Sequence, residues 1–526
     1  MSSGTKSFIG GMSVLGITGI VCKLVGVLYS IPLANILGDN GLGMFQTVFP
    51  TYNLLLTLSS AGLPVAISSL VSHHLAKDDP RNAKRIFRLA LTMLGSLGVF
   101  FTVMMLICNG LLTDLVGVSE AADGFRVIAP CVAIVCVLAA FRGFFQGQQN
   151  MVPTAISQII EQCGKVVISL PLAAIGMRTS VAAGAAGALL GITCVELIAC
   201  VYIMVLYALR RKSFNTIRQL SDAPLLSNGR ISRDLLTIAI PITITACIIP
   251  LAQFIDSALM VKRMMVSGLD KETATSLYGI FSGMVIRLIN IPTALAQSIS
   301  MSLVPAVAAA KALENEKGIR YQSSTGIRFA FLIGFPCAIG MSVLAKEILG
   351  FFYVETLTPE RLQTASELLT FSALTVVLFT VVQATSSILQ GLHKPKIPMY
   401  TMIAGVTCKV VLNYFLIAIP GLNIHGGPYA SIVCYTVVMV PNLYLCCRYA
   451  HMPFDWKGWI IRPGAAVIAM GCVIFAMKRF LPFGRIQTIL EIVTGAAVYI
   501  AVALAVKAFT ADDLRSFRRK KRRQAQ

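Results

Sequence analysis

The chain has 526 residues, of which 56% are hydrophobic and only 13% are charged. Soluble domains carry about 45–50% apolar and about 25% charged residues, so this composition excludes an ordinary soluble enzyme, a disordered chain and a fibrous protein. The net charge of +21 is typical of basic cytoplasmic loops in a membrane protein and does not indicate a nucleic-acid partner. The 14 cysteines lack metal-site or disulfide spacing, so we expect no metal.

Apolar runs of about 20 residues, the length that crosses a bilayer, recur along the whole chain. They predict an all-α integral membrane protein with about 14 transmembrane helices. The predicted spans are 8–37, 44–72, 86–109, 124–147, 153–176, 181–208, 234–261, 276–310, 326–346, 367–391, 397–420, 428–447, 463–480 and 486–508.

Lys and Arg residues are distributed unequally between the predicted loops. With both termini placed inside the cell, the inner segments hold 28 of these residues and the outer segments hold 10. Because cytoplasmic loops are enriched in positive charge, we predict that both termini are cytoplasmic. The basic stretch 518–523 is interpreted as a topology anchor or a contact with membrane lipids.

An internal repeat predicts two lobes. The dipeptide at 146–147 recurs at 390–391, and the tripeptide at 165–167 recurs at 409–411, both with a shift of 244 residues. We therefore predict two six-helix lobes with a pseudo-twofold axis along the membrane normal, followed by two extra helices. The predicted parts are the N-lobe 1–209, an inter-lobe loop 210–233, the C-lobe 234–449, the two extra helices in 450–509 and a basic tail 510–526.

Charges inside the predicted spans are candidates for function, because each needs a partner or a watery cavity. Lys23 in span 1 and Arg287 in span 8 have no opposite charge within one helical turn. They favour a cationic central cavity that binds an anionic substrate through charge-assisted hydrogen bonds, and partners on other helices are the alternative. Among the acidic residues Glu161, Glu196 and Asp256, the last is a candidate counter-ion or a site for H⁺ or Na⁺.

Several uncharged polar residues lie in the same spans as these charges. Asn53, Gln253, Asn290 and Gln297 are candidates for binding sugar hydroxyls. Such residues also hydrogen-bond helices to each other in membranes, so both roles stay open.

Three further basic residues carry a weaker functional signal. Glu161 and Lys165 have the spacing of an intrahelical ion pair, and a mutually neutralised pair is the favoured interpretation. Arg142 lies near the inner end of its span, where its side chain can reach the interface. Lys409 repeats Lys165 but has Gly405 in place of an acidic partner, so its role stays open.

Four segments together resemble the stage V sporulation protein B family. They are GDNGLG at 38–43, GLPVAISSL at 62–70, RGFFQGQQNMVP at 142–153 and IIEQ at 159–162. That family comprises polysaccharide-export members of the multidrug/oligosaccharidyl-lipid/polysaccharide flippase superfamily. The resemblance implies a MATE-like fold of two six-helix lobes, and flipping of undecaprenyl-pyrophosphate-linked sugars with lipid II as the leading substrate.

The chain is also similar to the MurJ type of lipid II flippase. The first helix of those proteins carries Arg-Val-Leu-Gly where this chain has KLVG at 23–26, which implies that Lys23 contacts the pyrophosphate. Tyr29 stands where those flippases have a second arginine, and a leucine stands near the place of an arginine in helix 2. Arg287 is similar in position to a helix-8 arginine.

The function expected is a flippase that moves a lipid-linked glycan across the bacterial cytoplasmic membrane by alternating access, for cell-wall or spore-cortex synthesis. Spans 13 and 14 are expected to help form a groove for the lipid tail. The alternatives are a MATE-type drug/cation antiporter, a membrane-embedded transferase and a non-transporting scaffold for envelope assembly. Clustered carboxylates and a phosphate-binding loop are lacking from the sequence, so we expect neither an enzyme nor a cofactor.

Overall fold

The computed structural model describes residues 3–216, 224–353, 356–480 and 484–508. The described residues form helices and no strand. A helix satisfies its own backbone N–H and C=O groups, which is why a strongly apolar chain folds into long helices in hydrocarbon. The chain divides into two compact units, with the boundary between Gly283 and Met284.

The first unit contains ten α-helices within the described residues. A π-helical segment, Lys165–Ser169, joins the sixth helix to the seventh. The helices are α1 (Ser3–Ser60), α2 (Leu63–Ala76), α3 (Pro80–Ile107), α4 (Asn109–Val116), α5 (Ala122–Gly147), α6 (Val152–Gly164), α7 (Leu170–Met177), α8 (Val181–Thr216), α9 (Asn228–Val266) and α10 (Lys271–Tyr278).

The second unit contains eight α-helices within the described residues. A second π-helical segment, Gly279–Val285, precedes them, so the long predicted span 276–310 contains this segment and most of the helix that follows. The helices are α11 (Ile286–Ala312), α12 (Glu316–Val343), α13 (Ala345–Tyr353), α14 (Pro359–Gly391), α15 (Lys396–Leu416), α16 (Gly426–Tyr449), α17 (Arg462–Phe480) and α18 (Arg485–Ala505).

Thirteen stretches of the described residues are long and apolar enough to cross a membrane. They match the predicted spans, except that the first two predicted spans fall on one stretch, Leu28–Ala76. α1 is broken there at Gly38, whose φ of 66° and ψ of −177° are non-helical. Glycine adopts a positive φ without steric cost, and Gly38 lies where the sequence predicts an outer loop. The multi-pass helical fold is confirmed.

The two helices outside the predicted repeat, α17 and α18, pack on α12. The Tyr499 hydroxyl donates to the Leu332 carbonyl at 2.8 Å. Trp459, in the short π-helical segment before α17, donates through Nε1 to Ser324 Oγ at 3.2 Å. Leu332 and Tyr499 also belong to an apolar core with Met470. Polar and apolar contacts therefore join both helices to the second unit.

The repeated glycines occupy equivalent places in the two units. α5 ends at Gly147 and α14 ends at Gly391. A Cβ atom at Gly147 would lie 2.8 Å from the Val71 Cβ on α2, and one at Gly391 would lie 2.8 Å from the Val307 Cβ on α11. Each glycine therefore lets its helix approach the neighbouring helix closely.

The predicted lobe boundaries stay predictions. The compact units divide later than the predicted inter-lobe loop, because α9 packs on α1 and α2 within the first unit. At that contact the Gly62 N–H donates to Thr243 Oγ1 at 3.1 Å. Residues 217–223 of the predicted inter-lobe loop and residues 509–526, which include the basic tail, lie outside the described residues.

Candidate functional site

Four charged side chains meet within the membrane-spanning part of the first unit. They are Arg142 on α5, Glu161 on α6, Lys165 at the start of the π-helical segment and Glu196 on α8, and we call them the charge network. Glu161 accepts from Arg142 at 3.1 Å through Oε2 and from Lys165 at 3.3 Å through Oε1. Lys165 Nζ lies 3.9 Å from Glu196 Oε1. The formal charges balance, as burial in hydrocarbon requires.

The charge network is largely shielded from solvent. The side chains of Arg142, Glu161 and Lys165 are 16–18% exposed, and that of Glu196 is 4% exposed. Arg142 also donates from Nε to Ser157 Oγ at 2.9 Å. Arg142 thus bonds to α6 within the unit, whereas the sequence suggested that its side chain reaches the interface.

The predicted ion pair between Glu161 and Lys165 is present. The contacts that Glu196 and Ser157 make with the charge network were not predicted from the sequence. Glu196 lies on another helix, α8, so no helical spacing connects it with Lys165, whereas Ser157 lies four residues before Glu161 on α6. The available signal for Glu196 was an acidic residue in the middle of an apolar span, which costs several kcal/mol unless it is paired.

The first helix passes beside the charge network. The Tyr29 hydroxyl lies 2.9 Å from Ser169 Oγ. Ser169 Oγ donates its own proton to the Ala188 carbonyl at 2.7 Å, so Tyr29 is the donor of the pair. A Cβ atom at Gly26 would lie 3.7 Å from Gln162 Oε1. Lys23 lies on this helix, but its side chain is outside the described part of the structure.

Two of the predicted sugar-binding residues lie together. Asn53 on α1 donates from Nδ2 to Gln253 Oε1 on α9 at 3.4 Å, a long and weak hydrogen bond. Asp256, one turn further along α9, lies close enough to Tyr278 on α10 for its charge to act on the phenol. Tyr278 itself is buried and donates to the Gln46 carbonyl at 3.3 Å. These contacts connect α1, α9 and α10 within the first unit.

The remaining predicted site residues belong to the second unit. Arg287, Asn290 and Gln297 are on α11, and Lys409 is on α15. Arg287 and Gln297 are partly buried, whereas Asn290 is exposed. Arg287 lies close enough to Tyr353 on α13 for its charge to act on that phenol. The roles of Arg287, Gln297 and Lys409 stay predictions.

The second unit cannot repeat the Glu161–Lys165 pair, and Gly405 shows the reason. A Cβ atom at Gly405 would lie 2.5 Å from Val438 Cγ2 and 2.8 Å from the Cys434 carbonyl oxygen, both on α16. A glutamate at this position would collide with α16. The difference between Lys165 and Lys409 is therefore a difference in helix packing as well as in sequence.

A second polar cluster lies outside the membrane-spanning segments, at the loop between α2 and α3. Asn82, which is 1% exposed, donates to the Pro224 carbonyl at 3.1 Å and accepts from the Leu226 N–H at 3.0 Å. Burial raises the pKa of the Asp79 carboxyl, but hydrogen bonds from Asn82 and His74 outweigh burial and hold this pKa below its usual range. The cluster holds the segment that leads into α9.

The described residues contain no group of three or more His, Cys, Asp or Glu side chains that could hold a metal ion. The charge network consists of two cations and two carboxylates whose formal charges balance, and among the described residues Glu196 Oε2 has no hydrogen-bond partner. Its chemistry fits ion pairing and positioning, and it lacks the arrangement of nucleophile and base that covalent catalysis requires.

Comparison with known proteins identifies the family and the fold of the chain. The model of the polysaccharide biosynthesis protein family matches residues 8–311, and the MatE family model matches residues 241–415. Stage V sporulation protein B of Bacillus subtilis (strain 168) is 25% identical over 518 residues, which cover 97% of both chains. Lipid II flippase MurJ of the same strain is 24% identical over 529 residues, which cover 94% of both chains.

A solved structure shares the fold. Lipid II flippase MurJ in an inward closed conformation superposes with a TM-score of 0.69 at 14% identity, over 93% of this chain and 97% of that chain. The MATE-like and MurJ-like fold expected from the sequence is confirmed, and the similar proteins are flippases and transporters. The chain is a multi-pass membrane protein of the flippase and transporter superfamily, and it belongs to the polysaccharide biosynthesis protein family.

Proposed function

We propose that the chain translocates an undecaprenyl-pyrophosphate-linked glycan, with lipid II as the leading candidate, across the bacterial cytoplasmic membrane by alternating access. The observation that carries the proposal is the similarity to stage V sporulation protein B and to lipid II flippase MurJ along nearly the whole chain. Cell-wall or spore-cortex synthesis is the process that such an activity serves.

Moving a pyrophosphate across hydrocarbon needs compensating charge, because an isolated buried ion costs tens of kcal/mol by Born estimates. We assign this compensation to Lys23 and Arg287, each of which offers charge-assisted hydrogen bonds to phosphate oxygens. Asn53, Gln253 and Gln297 are proposed contacts for sugar hydroxyls. The hydrogen bond between Asn53 and Gln253 supports a common site for these two residues.

The charge network has a different proposed role. Arg142 and Lys165 are already neutralised by Glu161 and Glu196, so they are poor candidates for holding a phosphate directly. Their bonds fix α5, α6 and α8 to each other beside the helix that carries Lys23. We therefore assign them the role of positioning residues.

The energy source in this proposal is the membrane potential, a gradient of H⁺ or Na⁺, or consumption of the product outside. Asp256 is the proposed site for the coupling ion. Both termini are proposed to be cytoplasmic, on the distribution of Lys and Arg residues.

Transport of fluorescent lipid II in proteoliposomes tests the proposal. The purified chain should move lipid II across the bilayer faster than empty liposomes do, and Lys23→Ala and Arg287→Ala should each lower the rate at least tenfold. Arg126→Ala is the matched control, because Arg126 is 63% exposed in a surface ion pair with Asp123. Absence of transport by the folded wild-type chain would reject lipid II as the substrate.

A MATE-type drug/cation antiporter is the second candidate, and the match of the MatE family model to residues 241–415 favours it. Efflux of a cationic dye from the same proteoliposomes separates the two functions. Dye efflux driven by an ion gradient, without lipid II transport, would establish the antiporter.

A further inference from the structure

A compact cluster of polar side chains in the second unit has no part in the proposed site. It lies where the end of α17, the start of α18 and the start of α13 come together. Its members are Glu347 on α13, Lys478 on α17, and Gln487 and Glu491 on α18, and we call them the C-terminal cluster. Glu347, Gln487 and Glu491 are 6%, 9% and 0% exposed.

The single cation of the C-terminal cluster already has its partners. Lys478 Nζ lies 2.8 Å from Glu347 Oε1 and donates to the Val343 carbonyl at 2.8 Å. Gln487 Nε2 donates to Glu491 Oε1 at 2.7 Å. Each carboxylate thus has one oxygen engaged by a neighbour.

Three buried oxygens of the C-terminal cluster are left without a donor. Within the described part of the chain, Glu347 Oε2, Gln487 Oε1 and Glu491 Oε2 have no hydrogen-bond partner. All three are acceptors when the carboxyl groups are ionised. A buried acceptor without a donor costs about 1–3 kcal/mol, and more when it is charged.

The formal charge of the C-terminal cluster also indicates that a positive partner is missing. Glu347 on α13 and Lys478 on α17 lie close enough to Glu491 for their charges to act on it. The third helix packed on α18 is α12, and its titratable group on this side is Cys337, which lies near Tyr499. Among the described side chains, two buried carboxylates and one ammonium, whose lysine is 30% exposed, leave one negative charge in the C-terminal cluster. One bound monovalent cation would neutralise this charge and give the unpaired acceptor oxygens a positive partner.

We propose that the C-terminal cluster binds one monovalent cation, Na⁺ or H⁺, between Glu347 and Glu491. Sodium is a hard ion that takes oxygen ligands, which both carboxylates and the Gln487 amide offer, whereas a proton converts one carboxylate into a donor for another oxygen. Either cation strengthens the contact between α13 and α18. The proposal is independent of the transported substrate.

Thermal unfolding of the purified full-length chain in lipid nanodiscs tests this proposal. At pH 8 with choline as the only other cation, addition of Na⁺ should raise the unfolding temperature saturably, by about 2 to 4 °C for a ligand well above its dissociation constant. Lowering the pH in choline should give a similar rise if the cation is a proton. Glu491→Gln, which removes the negative charge at constant size, should abolish the response.

Two controls separate loss of cation binding from a general effect of changing a carboxylate or from a folding defect. Glu360→Gln changes an exposed carboxylate of the same unit and should keep the full response. Equilibrium dialysis with radioactive sodium should show one bound ion fewer in Glu491→Gln than in the wild type if the cation is Na⁺. If Glu491→Gln does not fold, Glu347→Gln provides the same comparison. A wild-type chain that responds to neither cation, or a Glu491→Gln variant that responds as the wild type does, overturns the proposal.

Discussion

Gly147 lies directly against Val71, since a Cβ atom at position 147 would approach the Val71 Cβ to 2.8 Å. Gly391 and Val307 repeat this contact in the second unit. Gly147→Ala and Gly391→Ala should therefore each destabilise the protein by about 1–3 kcal/mol through overpacking. Thermal unfolding in detergent measures the effect.

Gly95→Ala is the matched control for both glycine substitutions. Gly95 also lies in a membrane-spanning helix, but no atom of another helix lies within 4 Å of a Cβ added there. Alanine should be neutral there or stabilising by up to about 1 kcal/mol. Equal effects at positions 95 and 147 would contradict the close approach of α5 to α2.

Glu161 holds two cations at once, so its substitution should be costly. Glu161→Gln leaves Arg142 and Lys165 with Glu196 as the remaining acid of the charge network, and removal of one partner from a buried pair costs about 3–5 kcal/mol. The free energy of unfolding should fall accordingly. Asp123→Asn breaks an ion pair that is more than 60% exposed and should change stability by less than about 1 kcal/mol. A cost for Glu161→Gln as small as this would show that the buried pairs are not formed.

Asn82 joins the α2–α3 loop to the segment that leads into α9. Asn82→Ala removes its bonds with the Pro224 carbonyl and the Leu226 N–H, so residues 225–228 should exchange their amide hydrogens at least tenfold faster. Hydrogen exchange with mass spectrometry reports this segment directly. Asn228 contacts Arg85 from the same segment, and Arg85→Ala is expected to give a smaller increase because that bond is exposed. Unchanged exchange in Asn82→Ala would rule out this role.

The Asp79 carboxyl makes the same loop sensitive to acid. Its pKa is lower in the folded protein than in the unfolded chain, where it is 3.8. Its contribution to stability is therefore complete above the unfolded pKa, and it is lost as the pH falls through the folded pKa. Stability measured from pH 5 downward should drop below about pH 4, and Asp79→Asn should flatten this part of the profile. A profile identical to that of the wild type would exclude Asp79 as the source.

Most of the correct predictions came from the spacing of residues that are close together in the sequence. Apolar runs located the spans, a positive-φ glycine stands at the predicted turn after the first span, and the four-residue interval gave the Glu161–Lys165 pair. Contacts between helices were not accessible in the same way, because the sequence does not say which helices are neighbours. For this reason the sequence did not predict that Arg142 and Glu196 belong to the charge network. The roles of Lys23, Arg287 and Asp256 rest on resemblance and composition and stay predictions.

Because Gly405 stands where the first half has Glu161, the helices of the two repeat halves are held together by different kinds of contact. In the first unit, α5, α6 and α8 are cross-linked by directional bonds between opposite charges, which break abruptly when the helices shift. At Gly405, α15 meets α16 through apolar contacts, and along the same seam Thr401 Oγ1 donates a hydrogen bond to Asn442 Oδ1 at 2.9 Å. A shift between helices therefore separates opposite charges in the first unit, whereas at the α15–α16 seam it breaks contacts between neutral groups.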